Sequence, residues 1–389
     1  MIKRIISVDI VRGLVMVIMA LDHCRDLLGA SSITERATNL QTTTPGLFFT
    51  RWITHLCAPT FVFLSGVSAF LSIKGNRDVN AARRFLITRG IWLIVVNFTI
   101  NNFAVFFDIH FSVLFSQVIA AIGFGFIGLA ILLPLKAKTI GLTGLFIIFS
   151  HDLLAGVSFA KDSIWEIVWT IFMSAGFFQI SSHFLLSAVY PYIPWLGVML
   201  AGYSAGTIFH LPESRRRRTL LLIGVGALTL FVIVRFLNFY GDPNPWARQK
   251  TFLFTILSFI NTTKYPPSLL FTLMTLGISM IILSFAENWE NRLSGILVVY
   301  GRVPFFYWMV HWFVIHFIAI GFFLWQGYHW NDLQFSGFGF GHPKNGTGGV
   351  GLGVLYLFWV LVVLLMYPIS KAYGDYKSVH REKKWLRYL

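Results

Sequence analysis

The first long apolar stretch of the chain carries ionisable residues that could do acid–base chemistry. Ionisable side chains within a membrane-length segment are costly to bury, so they are candidates for function. Asp26 follows His23 by about one helical turn, where its carboxylate could hold the imidazole in one tautomer. A histidine oriented in this way can act as a general base. The alternative is a satisfied polar cap at the membrane interface, which would also include Asp22 and Arg25.

Arg12 precedes His23 by eleven residues. Eleven residues make about three turns of α-helix, so the two side chains face the same way, about 16 Å apart along the axis. Asp9 lies three residues before Arg12 and can pair with it on one face. The spacing predicts a guanidinium in the inner part of the membrane and an imidazole near its outer boundary.

A second group of candidates lies in a later apolar segment that begins at Gly301-Arg302. Tyr307 and His311 share a helical face, and His311 is a second candidate base or oxyanion donor. His316 lies about 140° further round the helix, so the two histidines do not form a metal pair on one face. Arg302 at the inner end could contact a phosphate from the cytoplasm, or could be one more topology charge.

The elements that position these residues are predicted to be membrane-spanning helices. The chain has 389 residues, of which 56% are hydrophobic and only 12% charged, and apolar runs recur along its whole length. Each run is about 20 residues long, which suffices to cross hydrocarbon as a helix. We predict an all-α polytopic helix bundle of about ten transmembrane helices, forming one domain over residues 1–389. Residues 158–188 and 241–265 are predicted to be interfacial or re-entrant segments.

The basic residues that give the chain its net charge of +15 lie in short loops between the apolar runs. This is the positive-inside pattern, which indicates topology and contact with anionic lipids rather than nucleic acid. The run Arg215, Arg216, Arg217 and Arg218 and the basic tail after Lys371 predict that both termini lie in the cytoplasm.

Cys24 and Cys57 are the only cysteines and both fall near predicted outer helix ends. They could form a disulfide in an oxidising compartment, or remain two buried apolar thiols. Two cysteines do not give the spacing of a metal site, and no metal is predicted.

Four strings of the sequence resemble a known family. They are RIISVDIVRGLVMVIMALDHCRDLL, FFTRWITHLCAPTFVFLSGVSAFL, YPPSLLFTLMTLG and GRVPFFYWMVHWFVIH. They are similar to bacterial membrane proteins grouped with the catalytic domain of heparan-α-glucosaminide N-acetyltransferase. In related acyltransferases that O-acetylate surface polysaccharides, a first-helix arginine followed eleven residues later by a histidine is associated with catalysis. Arg12 and His23 match that spacing.

The resemblance implies an enzyme of the bacterial inner membrane that takes an acetyl group from cytoplasmic acetyl-CoA. The acceptor would be a hydroxyl or amine of an extracytoplasmic glycan, and a homodimer is an open option. We expect His23 to accept the nucleophile's proton or to be acylated transiently, with Asp26 and His311 as the other catalytic candidates. The remaining predicted roles are donor binding by Arg12 and Arg302 and acceptor binding by Asp22, Arg25 and His55. For His55 a purely structural role is left open.

A different function for the same buried residues is a proton-coupled small-molecule transporter. Buried Asp, Arg and His side chains can form a proton relay as well as a catalytic site. The sequence shows no internal repeat of the kind that typifies many transporters, which favours the enzyme.

Overall fold

The structure is a computed structural model that describes residues 5–34, 37–73, 78–380 and 382–387. Its helices are α1 (Ile6–Leu28), α2 (Ser31–Thr34), α3 (Pro45–Thr54), α4 (Cys57–Ile73), α5 (Val79–Val96), α6 (Asn102–Phe106), α7 (Val118–Leu132), α8 (Ala137–Ser150), α9 (Ile164–Phe172), α10 (Tyr192–Ala205), α11 (Glu213–Leu237), α12 (Phe252–Ile260), α13 (Leu269–Ala286), α14 (Arg292–Gly301), α15 (Pro304–Trp325) and α16 (Leu352–Val379). The short strands are β1 (Val113–Ser116), β2 (Gly176–Ser181), β3 (Phe184–Ala188), β4 (Leu333–Gln334) and β5 (His342–Pro343).

The fold class predicted from the sequence is confirmed: the chain is an all-α polytopic membrane protein. Seven helical segments of the described chain are long and apolar enough to cross a membrane. They are Pro45–Ile73, Val79–Phe106, Ala137–Leu154, Glu213–Leu237, Leu269–Ala286, Pro304–Trp325 and Leu352–Val379. The other three predicted spans are also helical. Of these, α1 has 23 residues but includes five charged ones, while α7 and α10 have 15 and 14 residues.

Two predicted spans are each divided into two helices, and in both cases a proline follows the break. The predicted ninth helix is divided into α14 and α15, with Arg302 and Val303 between them and Pro304 opening α15. The second is divided at His55-Leu56, between α3 and α4, and Pro59 follows in the first turn of α4. Proline has no backbone N–H and disfavours helical geometry in the residue before it, so the helix breaks at or just before it.

Residues 158–188 form the short helix α9 and the antiparallel hairpin β2–β3, which joins β1 in a three-stranded sheet. The hairpin was not predicted. Its strands contain short apolar runs. In runs of this length, periodicity alone does not distinguish a strand from a helix.

The chain divides into two compact units. The first comprises Met1–Ser7, Ala58–Phe98 and Leu114–Asn288. Its helices approach closely through small residues, as membrane helices commonly do. A Cβ added to Gly90 of α5 would lie 2.5 Å from the carbonyl oxygen of Gly123 of α7, so the two backbones are in contact.

The second unit comprises Val8–Cys57, Thr99–Val113 and Trp289–Leu389, and it contains every candidate site residue. In it α1 packs backbone to backbone against α14. An added Cβ at Gly13 would lie 1.9 Å from the Leu297 carbonyl oxygen, and one at Gly301 would lie 1.8 Å from that of Asp9. The single domain predicted for residues 1–389 stays a prediction.

The loop between α15 and α16 is tied to the end of α1 that follows His23. The Val350 N–H donates to the Leu28 carbonyl at 2.8 Å, and the Ala30 N–H donates to the Val350 carbonyl at 3.0 Å. These bonds position the loop over the last turn of α1.

Cys24 and Cys57 are free thiols, and both are buried. The Cys57 Sγ donates to the Val15 carbonyl oxygen at 3.3 Å. Of the two alternatives given for these cysteines, the structure has the buried thiols.

Candidate active site

Two histidines predicted separately lie side by side in the second unit. The Nδ1 of His23, on α1, is 2.6 Å from the Nε2 of His311, on α15, although 288 residues separate them in the chain. His311 is fully buried, with 0% of its surface exposed, whereas His23 is only partly buried. The accessible member of the pair is therefore His23, and His311 lies behind it.

The hydrogen bonds of His311 fix the tautomer of both rings. Its Nδ1 lies 2.9 Å from the carbonyl oxygen of Tyr307, which can only accept. In the neutral ring Nδ1 therefore carries the proton and Nε2 is the acceptor. We assign the proton of the short contact to Nδ1 of His23, because Nε2 of His311 has none to give. The lone pair of His23 is then on Nε2.

Aromatic rings surround the pair. The Trp312 indole stacks on the His23 ring, with centroids 3.9 Å apart and planes at 21°, and the Tyr307 ring stacks on His311 at 5.4 Å. Trp308 meets His23 edge-on at 5.6 Å, and its Nε1–H donates to the Asn101 side-chain oxygen at 2.8 Å. The rings cover much of both imidazoles with apolar surface.

The sequence predicted that Asp26 orients the imidazole of His23, and this prediction is wrong because Asp26 has a different partner. Its carboxylate lies 2.7 Å from Nη2 of Arg25, and the same nitrogen is 3.1 Å from the Asp22 carboxylate. Arg51 of α3 donates to Asp22 as well. Two guanidinium groups and two carboxylates thus form one ion-pair network, because each buried charge requires an opposite partner.

Arg12 and Arg302 lie near the end of α1 that is remote from His23. Arg12 forms the predicted pair with Asp9, at 3.6 Å, and remains partly accessible. Arg302 is exposed at the junction of α14 and α15, next to Gly301, whose backbone touches that of Asp9. The close packing therefore brings the Arg302 junction to the turn of α1 that starts with Asp9.

The remaining histidines of this unit have other partners. His55 is buried between α3 and α4, and His316 is buried with its Nε2 2.8 Å from the Val105 carbonyl. His342, in the loop after α15, has Nε2 3.0 Å from the Asp26 carbonyl. Burial lowers the pKa of His342 from its ordinary value of 6.5, and this outweighs the contacts with Asp26, which raise it.

Sequence reasoning missed Trp312 and Arg51 as parts of this arrangement. Trp312 follows His311 directly and Arg51 opens the segment that contains His55. The signal for Trp312 was weak, because an aromatic residue in a membrane helix is most often facing lipid or packing in a core. Arg51 is a basic residue at a predicted outer helix end, where the positive-inside rule does not account for it, and this was the signal that could have identified it.

Taken together, the polytopic helical fold and the contact between His23 and His311 define a membrane protein with paired histidines between two of its helices. The chain belongs to the family described as Heparan-alpha-glucosaminide N-acetyltransferase, catalytic, which matches residues 4–241, more than half of its length. This confirms the resemblance read from the sequence and places the chain among membrane acetyltransferases. The match includes His23, while His311 lies beyond it. No curated protein with significant similarity to the chain was found.

Proposed function

We propose that the chain transfers an acetyl group from cytoplasmic acetyl-CoA to a hydroxyl or amine of an extracytoplasmic glycan, in a bacterial inner membrane. The observation that carries the proposal is the His23–His311 pair. It gives a partly accessible imidazole with a defined tautomer, within a segment that belongs to an acetyltransferase family. A general base needs this combination of reach and orientation.

In the proposed reaction Nε2 of His23 takes the proton of the acceptor as its oxygen or nitrogen attacks the acetyl carbonyl. The carbon–sulfur bond of the thioester then breaks, and the departing thiolate of coenzyme A receives that proton from His23. Transient acylation of His23 would use the same lone pair. His311 acts as a positioning residue, since its Nε2 accepts from His23 and stabilises the imidazolium that forms.

The donor is proposed to bind near Arg12 and Arg302. Arg302 is exposed and lies next to the turn of α1 that also carries Arg12. The phosphates of coenzyme A would pair with these guanidinium groups through charge-assisted hydrogen bonds. Asp22 and Arg25 lie at the opposite end of α1, beside His23, where the sugar acceptor is expected. His55, buried at the break between α3 and α4, is the third proposed acceptor residue.

The experiment is acetyl transfer by the purified protein, with acetyl-CoA labelled in its acetyl group and glucosamine as the acceptor probe. His23→Ala should lower the rate by roughly 10²–10⁴-fold, which is what a general base contributes. Coenzyme A binding should change little. The protein should stay folded with a lowered melting temperature, because the buried Nε2 of His311 loses its donor. The control is His183→Ala, which removes an exposed histidine from the β2–β3 hairpin. Wild-type protein that neither binds coenzyme A nor transfers acetyl would refute the proposal.

A further inference from the structure

Two tryptophans on α15 flank His23, and their indole N–H groups differ in hydrogen bonding. Trp308 and Trp312 are one helical turn apart, and both rings contact the imidazole. The Nε1–H of Trp308 is satisfied by Asn101 at 2.8 Å. The Nε1 of Trp312 is buried, and no partner for it exists among the residues that the structure describes.

An unpaired donor at this position is costly. Trp312 is only 4% exposed, so solvent does not replace the missing acceptor. Leaving a buried donor unsatisfied costs about 1–3 kcal/mol, and most buried groups avoid that cost. A donor that is left unpaired beside a candidate catalytic base is therefore a candidate for use by a ligand.

The stacking geometry limits the directions in which this donor points. The indole and imidazole planes are inclined by only 21°, with centroids 3.9 Å apart. An indole N–H lies in the plane of its own ring. It therefore runs parallel to the His23 ring instead of pointing into it, which is compatible with an acceptor bound at the edge of that ring.

We propose that Trp312 is an oxyanion donor for the acetyl transfer, an inference that rests on the function proposed above. When the acceptor attacks, the carbonyl carbon gains a bond and the carbonyl oxygen becomes an oxyanion. The Trp312 Nε1–H donates to that oxygen while Nε2 of His23 holds the acceptor's proton. When the carbon–sulfur bond breaks, the carbonyl re-forms, the thiolate takes the proton and the indole N–H is released.

The test is Trp312→Phe, which keeps an aromatic ring on His23 but removes the N–H. Loss of one oxyanion donor typically lowers kcat by about 10²–10³-fold. We expect a fall of that order in kcat, with the KM for acetyl-CoA changed by less than about threefold. The melting temperature should not fall through loss of a hydrogen bond, because the deleted N–H has no partner among the described residues.

Trp308→Phe is the matched comparison, because it removes an N–H from the same helix and the same flank of His23. This change leaves the buried Asn101 side-chain oxygen without its donor. The relative effects on melting temperature and on kcat should therefore be the reverse of those in Trp312→Phe. The melting temperature should fall, while kcat falls less than tenfold. A larger loss of kcat in Trp308→Phe than in Trp312→Phe would overturn the assignment.

A second variant guards against altered packing. Replacing Trp312 by 3-benzothienylalanine substitutes sulfur for the N–H in a ring of nearly the same shape. It should reproduce the kcat loss of Trp312→Phe. If both variants keep kcat within threefold of wild type, or if only the KM for acetyl-CoA changes, Trp312 is not the oxyanion donor. His23→Ala measured in parallel separates the two ideas, since its inactivity alongside an active Trp312→Phe leaves the proposed function standing and refutes only this inference.

Discussion

The two imidazoles of the His23–His311 pair differ in exposure, and the roles proposed for them rest on this difference. His311 is completely buried and bonded to the Tyr307 carbonyl, so it is fixed in one orientation. His23 is partly accessible and can meet a substrate. A fixed acceptor behind a reachable base resembles the arrangement in which a buried group orients a catalytic histidine.

This arrangement predicts that His311 matters more than Asp26. His311→Ala removes the acceptor for Nδ1 of His23 and should lower kcat about 10²-fold or more, close to the effect of losing the base. His311→Gln places an amide oxygen near the same position and should restore part of the activity. Asp26→Asn should lower kcat less, because the Asp26 carboxylate bonds Arg25. The measurement is steady-state acetyl transfer. A dead Asp26→Asn enzyme beside an active His311→Ala enzyme would contradict the assignment.

His342 gives a prediction about pH. Burial lowers its pKa in the folded protein, so below about pH 6.5 the unfolded chain binds the proton more tightly than the folded chain. The contribution of neutral His342 to stability is therefore complete above pH 6.5 and is lost as the pH falls through the lowered folded pKa. His342→Gln should show a smaller drop in melting temperature between pH 7.5 and pH 5.5 than wild type. Equal drops would show that other groups dominate the acid response.

At the scale of elements, the contact between α1 and α14 positions the donor end of the proposed site. The backbones touch at Gly13 and at Gly301, where no side chain keeps them apart. The junction that follows Gly301 carries Arg302, so the depth of this contact also sets the place of that guanidinium. The two glycines therefore connect helix packing with donor binding.

Gly301→Ala should destabilise the protein. The new Cβ would lie 1.8 Å from the Asp9 carbonyl oxygen, so the helices must separate, and overpacking of this kind costs about 1–3 kcal/mol. Gly295→Ala on the same helix is the control, because nothing lies within 4 Å of the added carbon. Thermal unfolding in detergent should show a clear loss for the first variant only. Similar melting temperatures for both would mean that the two helices are not in backbone contact.

At the scale of the whole molecule, the proposed reaction needs a donor side and an acceptor side. The run Arg215 to Arg218 at the start of α11 predicts the cytoplasmic side, and the loop that carries Asn345 is predicted to be outside. Since Cys24 and Cys57 are buried, single added cysteines can report the topology.

Cysteines placed at Ser214 and Asn345, both exposed, should react differently with a membrane-impermeant maleimide. In intact cells, Asn345→Cys should be labelled and Ser214→Cys should be protected until the membrane is opened. The opposite result would reverse the topology and with it the proposed direction of acetyl transfer.

The proposed binding of the donor from the cytoplasmic side gives a further prediction. Arg302→Ala should raise the Kd for coenzyme A roughly tenfold to hundredfold, the range for losing one charge-assisted bond. Arg292→Ala, at the first residue of α14, removes an equal charge and is also exposed, but should change the Kd little. Calorimetry with coenzyme A alone measures both. Equal weakening by the two variants would indicate a diffuse charge effect instead of a site at Arg302.

The amino-acid sequence by itself determined the class of fold and the identity of the chemical groups. Apolar runs in a chain with few charges can satisfy their backbone only as membrane helices, so the helices and the candidates His23 and His311 could be predicted. The break before Pro304 was not predicted. Helical periodicity also predicted the pairing of Arg12 with Asp9, because both residues lie on one helix.

Only the tertiary structure decided which groups meet. Periodicity fixes the face of a helix on which a residue lies, but not which other helix packs there. Asp26 looked like the partner of His23 because it is one turn away, yet it bonds Arg25, and His311 from 288 residues further along the chain bonds His23 instead. The N–H of Trp312, which has no partner within the described part of the chain, could not be recognised from the sequence either, because a hydrogen bond is present or missing only once side chains are packed together.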